Sequence, residues 1–479
     1  FPNRLAIKHV HSQMNPEKDW GSDTLAAGRY AMYVLNERYG TDANRVPFTT
    51  DNTIVIAGSA SNGGAASLRA AEQDTSGLID GVVASEPVTE MPTASGYGIQ
   101  FGGAAVAGYG KTLADFTTFG NIYQPCAALA PGAALTETSI FNYIGLVGMT
   151  ARATARCDSL AAKGLVSGAD TAARAQDALN KLRAFGWTPE TDQMHNAHYA
   201  LGNGPILSAM YPVSYGRFAV DANVCNTSFA SVNATGVPVA PTPAALAQSF
   251  ATANGTSNGT PVSVVYNDSV GGAKSWQFAV SPSTGVADFG LDNALCQRAL
   301  VTGADSVTGA ALTASSTPTK AQSDAVRAGI AEVVLNGNLR GKPTIIVSGR
   351  SDALVPVNNA VDRVYMDVVK SRAIKAFAAS PLLIDPGVQP SVINLNNPSK
   401  EWVENWVNRP PEYWPVTHLA HLALRTHAAH THRRGWRRFG EQLEPRVGGD
   451  RRHADLRPVA ARSELPRRGD DADPRVLVV

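Results

Sequence analysis

Ser61 and Asp352 are the residues whose types and settings could do covalent chemistry, and that chemistry would be acyl transfer. The apolar, β-branched run Thr53-Ile54-Val55-Ile56-Ala57-Gly58 breaks at Ser59-Ala60-Ser61-Asn62-Gly63-Gly64 into a helix-forming segment from Ala65 to Gln73. That pattern reads as strand, sharp turn and helix. With Ser61 at the tip, its neighbours two positions away are Ser59 and Gly63, both small, as required where strand and helix backbones nearly touch. The spacing is that of a nucleophile elbow, with Ser59 in place of the first glycine of G-x-S-x-G. Such a turn holds a hydroxyl clear of the sheet and aims the backbone N–H of Asn62 at the place where an oxyanion would form. Plain strand-to-helix turns and phosphate cradles draw on the same residue types. No lysine follows in Walker fashion, and no acidic residue closes a second strand in Rossmann fashion.

The second element of the chemistry is Pro343-Thr344-Ile345-Ile346-Val347-Ser348-Gly349-Arg350-Ser351-Asp352, which continues into Ala353-Leu354-Val355-Pro356. A buried strand that ends in Gly-x-x-Asp places one carboxylate at the carboxyl edge of a sheet, where the acid of a Ser…Asp…His order belongs. Taken alone, Asp352 could equally form an Asx turn or cap a helix. A serine hydroxyl also needs an imidazole base within reach. Of the ten histidines, His9 and His11 lie on or just after the first apolar run, His195 and His198 fall in the middle of the chain, and the rest follow Asp352. Chain order ranks His418 first as the base and His421 second. His11 stays a candidate because its strand should open on the same sheet edge as Ser61. The four cysteines are too widely spaced for a zinc site, so no metal is expected, and acyl transfer to a serine calls for no cofactor.

These residues must be positioned by strands and helices in alternation. Leu5 to His11 reads as a short strand and Asn15 to Gly21 as a polar loop. Asp23 to Tyr39 reads as a helix, with Ser22 as its N-cap and Gly40 as its stop. The elbow follows, and then a strand at Ile79 to Ala84. Alternation at this spacing predicts an α/β fold with a mostly parallel sheet covered on both faces. Residues 1–91 would form the first part of the core and 92–318 an inserted cap, with a helical patch from Ala172 to Phe185 and aromatics that pack the cap's own interior. Residues 319–414, with a helix over Ala321 to Leu335, would complete the core. Residues 415–479 form an Arg/His-rich tail without lysine or a core-forming period, open to being disordered.

Bulk properties narrow the function further. A chain of 479 residues with formal charge +1 and 17 % charged residues carries no field for nucleic acid or an anionic membrane. No window approaches eighteen uninterrupted apolar residues, so no transmembrane helix is expected. The even set Cys126, Cys157, Cys225 and Cys296, in a chain poor in charge, leans towards two disulfides and a secreted or periplasmic location, with four buried thiols as the alternative. Cys126 with Cys157 and Cys225 with Cys296 are the sequence-adjacent pairings among the three that four cysteines allow. The chain opens at Phe1 with neither methionine nor signal pattern, as a mature or truncated product would. Asn226, Asn233 and Asn254 begin N-x-Ser/Thr triplets, which chance alone produces in so Ser/Thr-rich a stretch.

Several of these segments together resemble the bacterial 3-hydroxybutyrate oligomer hydrolases. The likeness rests on His9-Val10-His11-Ser12-Gln13-Met14-Asn15-Pro16-Glu17-Lys18-Asp19-Trp20-Gly21, on Ser59-Ala60-Ser61-Asn62-Gly63-Gly64, on Ser85-Glu86-Pro87, and on Gly349 to Asn358. It covers roughly Phe1 to Asn359. The resemblance implies an exported serine esterase of the α/β-hydrolase type that takes oligomers released from a storage polyester down to monomer, with its serine at Ser61. A second oxyanion donor would come from a loop ahead of Leu5, outside this chain. Beyond about Ala360 the likeness to the family's histidine-bearing segment stops, and Tyr365 to Trp414 contains no histidine. Two other readings stand beside this one: a hydrolase-fold binding protein that has lost its base, and an esterase for another short-chain ester.

Overall fold

Where β-branched runs alternate with Ala-rich amphipathic stretches, strands and helices follow each other and the strands pair in parallel. The structure, a computed structural model, describes residues 1–7, 9–90, 100–101, 104–105, 110–133, 142–251, 262–347, 351–359 and 475–478. Helix α1 (Trp20–Tyr39) leads to β1 (Thr53–Ala60), α2 (Asn62–Gln73) and β2 (Gly81–Ser85), followed by the two-residue strands β3 (Gln100–Phe101) and β4 (Ala104–Ala105). A mainly helical stretch comes next: α3 (Leu113–Ala127), α4 (Tyr143–Leu146), α5 (Thr150–Ala162), α6 (Thr171–Phe185), α7 (Met194–Ala200) and α8 (Asn203–Tyr215). Then come β5 (Thr227–Val232), β6 (Pro238–Val239), α9 (Pro243–Ala251), β7 (Ser263–Tyr266), α10 (Leu291–Thr302), α11 (Lys320–Val333), β8 (Thr344–Val347) and β9 (Arg475–Val478).

Four strands make one parallel sheet in the order β8-β2-β1-β9. Gly58 stands opposite Val83, Val83 opposite Ile345, and Ile54 opposite Val476. Val55, Ile56 and Ala57 of β1 and Val82, Val83 and Ala84 of β2 are buried, as near-continuous apolar runs in a parallel sheet should be. One face is covered by α1 and α2: Leu25 and Met32 join Leu68, Ala71, Val82 and Ile346 in a single core. Gly21 permits the close crossing of these helices, since a Cβ there would lie 2.5 Å from the Gln73 side chain.

The chain between β2 and β8 builds two further cores. One gathers Phe116, Leu160, Leu179, Trp187, Tyr215, Leu291 and Val326, and it takes in Ala65 and Val88 from beside the elbow. The other holds Tyr199, Phe229, Tyr266, Trp276 and Phe289. Disulfides Cys126–Cys157 and Cys225–Cys296 tie this region together. At its centre Arg156, wholly buried, donates to Asp288 O and Asn121 O (both 2.7 Å), Ile122 O (3.0 Å) and Phe289 O (3.2 Å). The sequence supplies the reason for one of these bonds. Pro125 lies inside α3 and has no N–H to give Asn121 O four residues back, so the guanidinium takes that place.

Three expectations need correction. Among the described residues of 5–11 there is no strand: Leu5 N donates to Phe229 O (2.8 Å), and His9 turns the chain with φ 69°. The apolar run finds its partner on β5 instead of in the parallel sheet. Ser22 is not an N-cap, because a turn seeded by Pro16 starts α1 at Trp20, and Ser22 Oγ instead donates back to Asp19 O (2.8 Å). The tail is not wholly without structure: Arg475–Val478 forms β9, its Val-Leu-Val run being a short strand signal inside an Arg- and Pro-rich stretch. Elsewhere the sequence boundaries hold closely, as for α6, which starts at Thr171, and α11, which starts at Lys320.

Candidate active site

The geometry of the turn between β1 and α2 is set at one residue. Ser61 has φ 54° and ψ −124°, a conformation that non-glycine residues enter only where the surroundings over-determine it. Those surroundings are visible. Ser61 N donates to Ser85 O at the end of β2 (2.8 Å), and Ser61 O accepts from Ala65 N (3.2 Å) and Val88 N (3.3 Å). Gly63 is obligatory, since a Cβ there would lie 2.1 Å from Ser59 Oγ, and a Cβ on Gly64 would press on Pro87 at 3.2 Å. As the first residue of α2, Asn62 has a backbone N–H with no acceptor inside the helix, at the helix's positive end. Among the described residues no hydrogen bond reaches Ser61 Oγ.

Asp352 follows the carboxyl end of β8, and Ser61 follows that of β1, with β2 between them. Two inter-strand steps put those ends roughly 10 Å apart. Oδ1 of Asp352 accepts from Leu354 N (2.7 Å) and Val355 N (3.0 Å), an Asx turn. The side chain keeps some solvent contact, yet crowding pushes its carboxyl up to about 6, the two amide bonds pulling the other way. The Asp352 loop is anchored from outside the sheet: Trp187 Nε1 donates to Ala353 O (3.1 Å), and Asn359 exchanges hydrogen bonds with Thr89 N and O (2.9 and 2.8 Å).

The histidines divide sharply. His418 and His421 lie outside the described residues. His11 Nδ1 accepts from Ile7 N (3.0 Å), and its ring packs edge-on against Phe229, so the lone pair a base would use is occupied and the ring belongs to the β5 side. This overturns its candidacy. His195 and His198 sandwich Gln124, with Nδ1 of each 3.1 and 2.9 Å from its amide, and burial pushes both down to about 3. They are neutral parts of the insertion's interior.

Sequence reasoning missed a polar chain running away from the elbow. The Tyr211 hydroxyl donates to Asn62 Oδ1 (3.1 Å), Tyr211 stacks on Tyr215, and the Tyr215 hydroxyl donates to Glu17 Oε2 (2.6 Å). Glu17 is buried, which pushes its carboxyl up to about 7, while the Tyr215 hydrogen bond and the Arg69 charge oppose the shift. A second buried carboxyl, Glu90, is raised by its own burial and then by the charge of Glu17, while both its oxygens accept from Leu113 N. The signal in the sequence was the acid in the Asn15-to-Gly21 loop and two tyrosines four residues apart on one helix. Nothing local joins them. Among the described residues no group of three His, Cys, Asp or Glu side chains is assembled to hold a metal, and no helix is long and apolar enough to cross a membrane.

Comparison with known proteins places this geometry in context. The family model described as 3HB-oligomer hydrolase matches residues 1–379. The chain is similar to the D-(-)-3-hydroxybutyrate oligomer hydrolase of Paracidovorax citrulli, at 41 % identity over 82 % of this chain and 56 % of the relative. For the protein of the same name from Polaromonas naphthalenivorans the figures are 40 %, 79 % and 54 %, and for one from Ralstonia pickettii 40 %, 75 % and 47 %. The chain thus spans about half the length of the curated relatives it matches. No solved structure matches.

Proposed function

Because this chain belongs to the 3HB-oligomer hydrolase family, we propose that it forms the nucleophile-bearing part of a serine ester hydrolase that cleaves 3-hydroxybutyrate oligomers to monomer. The substrate class comes from the relatives' names. The observation that carries the serine mechanism is the Ser61 backbone, held at φ 54° and ψ −124° between β1 and α2 by bonds to Ser85 and Val88. A strained conformation maintained by its surroundings is a device for presenting a side chain.

In this reading Ser61 Oγ attacks the ester carbonyl while a histidine takes its proton. The tetrahedral oxyanion is stabilised by the Asn62 N–H. Collapse expels the hydroxy acid, which receives the proton back from the imidazolium, and water repeats the sequence to release the acyl group. Asp352 holds the imidazole's tautomer. By chain order His418 is the base. The chemistry requires no cofactor, and the substrates are products of polyester depolymerisation. The fold we assign is an α/β-hydrolase-type sheet carrying the segment between β2 and β8 as a cap, supported by the parallel order β8-β2-β1 with the serine and acid at strand carboxyl ends. The two disulfides support a secreted or periplasmic location.

A fluorophosphonate label tests the assignment. The protein should take up one label per chain and Ser61→Ala none, and chromatography should detect 3-hydroxybutyrate released by the parent, with turnover down ~10⁶-fold in Ser61→Ala. An unlabelled parent, or equal labelling of both, removes Ser61 from the mechanism. Oligomer binding without monomer release would point instead to a hydrolase-fold binding protein.

A further inference from the structure

We propose that Tyr211, contributed by α8 of the insertion, is a positioning residue for the nucleophile elbow. It rests on the reading of Ser61 as nucleophile. The elbow is held from the sheet side by Ser61 N to Ser85 O at 2.8 Å. From α8, the Tyr211 hydroxyl donates to Asn62 Oδ1 at 3.1 Å. Asn62 is joined directly to the strained Ser61, and its N–H must stay aimed at the developing oxyanion. A backbone in a sparsely populated conformation keeps its geometry only while its ties on all sides persist.

Tyr211 is suited to this task because it cannot move freely. Its side chain is 7 % exposed, its ring stacks on Tyr215 with centroids 5.6 Å apart, and Tyr215 is itself held through its hydroxyl to Glu17. The path closes on the elbow again, since the loop bearing Glu17 leads into α1, and α1 packs along α2. Burial pushes the Tyr211 phenol above its ordinary range, which favours the protonated, donating form. The insertion is then a fixed wall of the site. It holds Asn62 through Tyr211 and the Asp352 loop through Trp187.

The test compares Tyr211→Phe, which keeps the ring and its packing and removes only the hydroxyl, with the parent. Expected are an about ten- to hundredfold lower kcat, KM within about twofold, and a fluorophosphonate labelling rate reduced by the same factor. Asn62→Leu, which keeps the backbone N–H but removes the acceptor, should slow labelling similarly, and the double variant should be no slower than the worse single one. A ring that serves only to pack would leave labelling unchanged in Tyr211→Phe, and independent sites would give additive losses; either result overturns the proposal. Should Tyr211→Phe fail to fold, Asn62→Leu decides, and a parental labelling rate there overturns the proposal as well. Failure of the parent to label overturns the Ser61 reading itself, whereas equal rates in parent and Tyr211→Phe overturn only the role of Tyr211.

Discussion

At the scale of single residues, Ser59 occupies the position where a G-x-S-x-G turn carries glycine, and its hydroxyl restricts what can stand at 63. A Cβ on Gly63 would lie 2.1 Å from Ser59 Oγ and 2.7 Å from Ser59 Cβ, atoms of a short side chain with little room to retreat. Gly63→Ala is therefore expected to lose ~1–3 kcal/mol of stability and most of its phosphonate labelling, while Ser59→Gly combined with Gly63→Ala recovers both; denaturant midpoints and labelling rates check this. Asp352 offers a cleaner separation of roles. Asn keeps an oxygen to accept from Leu354 N and Val355 N, so a residue serving only as an Asx turn would tolerate Asp352→Asn. As the orienting acid, it should lose ~10³–10⁴-fold in kcat with the fold intact. The parent's activity should also decline as pH drops through about 6, where this carboxyl takes up its proton. Both positions were legible in the sequence because a turn between a β-branched run and a helix is a local pattern. Tyr211 was not, because the residue it serves lies 149 positions away.

Among the elements, the insertion depends on a charge that never meets water. Arg156 joins the carbonyls of Asn121 and Ile122 in α3 to those of Asp288 and Phe289 ahead of α10, beside the Cys126–Cys157 bridge. Removing it strands several buried acceptors at once. Arg156→Met should destabilise the protein by ~3–5 kcal/mol in chemical denaturation, and Arg156→Lys should recover only part, because one ammonium cannot reproduce a planar fork aimed at four carbonyls. Pro125 in α3 announces one free carbonyl in the sequence, four residues back at Asn121. Which cation would answer it, from a helix thirty residues on, is decided by how α3 and α5 pack. Adjacency in sequence put these two disulfide pairs first among the three connectivities that four cysteines allow, and the same packing brings Cys126 to Cys157 and Cys225 to Cys296.

For the whole molecule, buried titratable groups set opposing gradients of stability with pH. Glu17 is raised from its ordinary 4.5 to about 7 and Asp352 from 3.8 to about 6, so each contributes stability that is complete at low pH and lost as pH rises through those windows. His195 and His198 are lowered from 6.5 to about 3, so their neutral forms are favoured in the fold and stability is lost as pH falls below 6.5. Between about 4.5 and 6 these groups oppose two against two at ~1.4 kcal/mol per pH unit each; Glu90, also raised by burial, adds to the carboxyls and His11, lowered by burial, adds to the histidines, and the slopes largely cancel. Below about 4 only the histidines act among these four, joined by Asp74, whose hydrogen bonds to Ile79, Leu78, Lys342 and Ser76 outweigh its burial and hold it below its usual range. The expected profile is a plateau followed by steep acid destabilisation. In Glu17→Gln the amide oxygen still accepts from Tyr215, the plateau should become a slope falling toward acid, and the variant should exceed the parent at pH 8 but not at pH 4; urea midpoints across pH 4–8 check it.

Taken alone, the sequence determined the strand, sharp turn and helix around Ser61, the strand leading to Asp352 and the family, because each is written in neighbouring residues or in a linear motif. Tertiary structure decided what those pieces touch. It took the first apolar run away from the sheet and onto β5, occupied the lone pair of His11 with Ile7 N, and drew the Val-Leu-Val run at 476–478 in beside β1. It also brought a tyrosine of α8 onto Asn62, the residue after Ser61, and a buried glutamate behind that tyrosine's neighbour. Hydrophobic periodicity says which face of an element is buried but not against which partner. A hydrogen bond between residues far apart in sequence depends on how helices cross and how burial changes the donors and acceptors they carry, and those are properties of the packed chain.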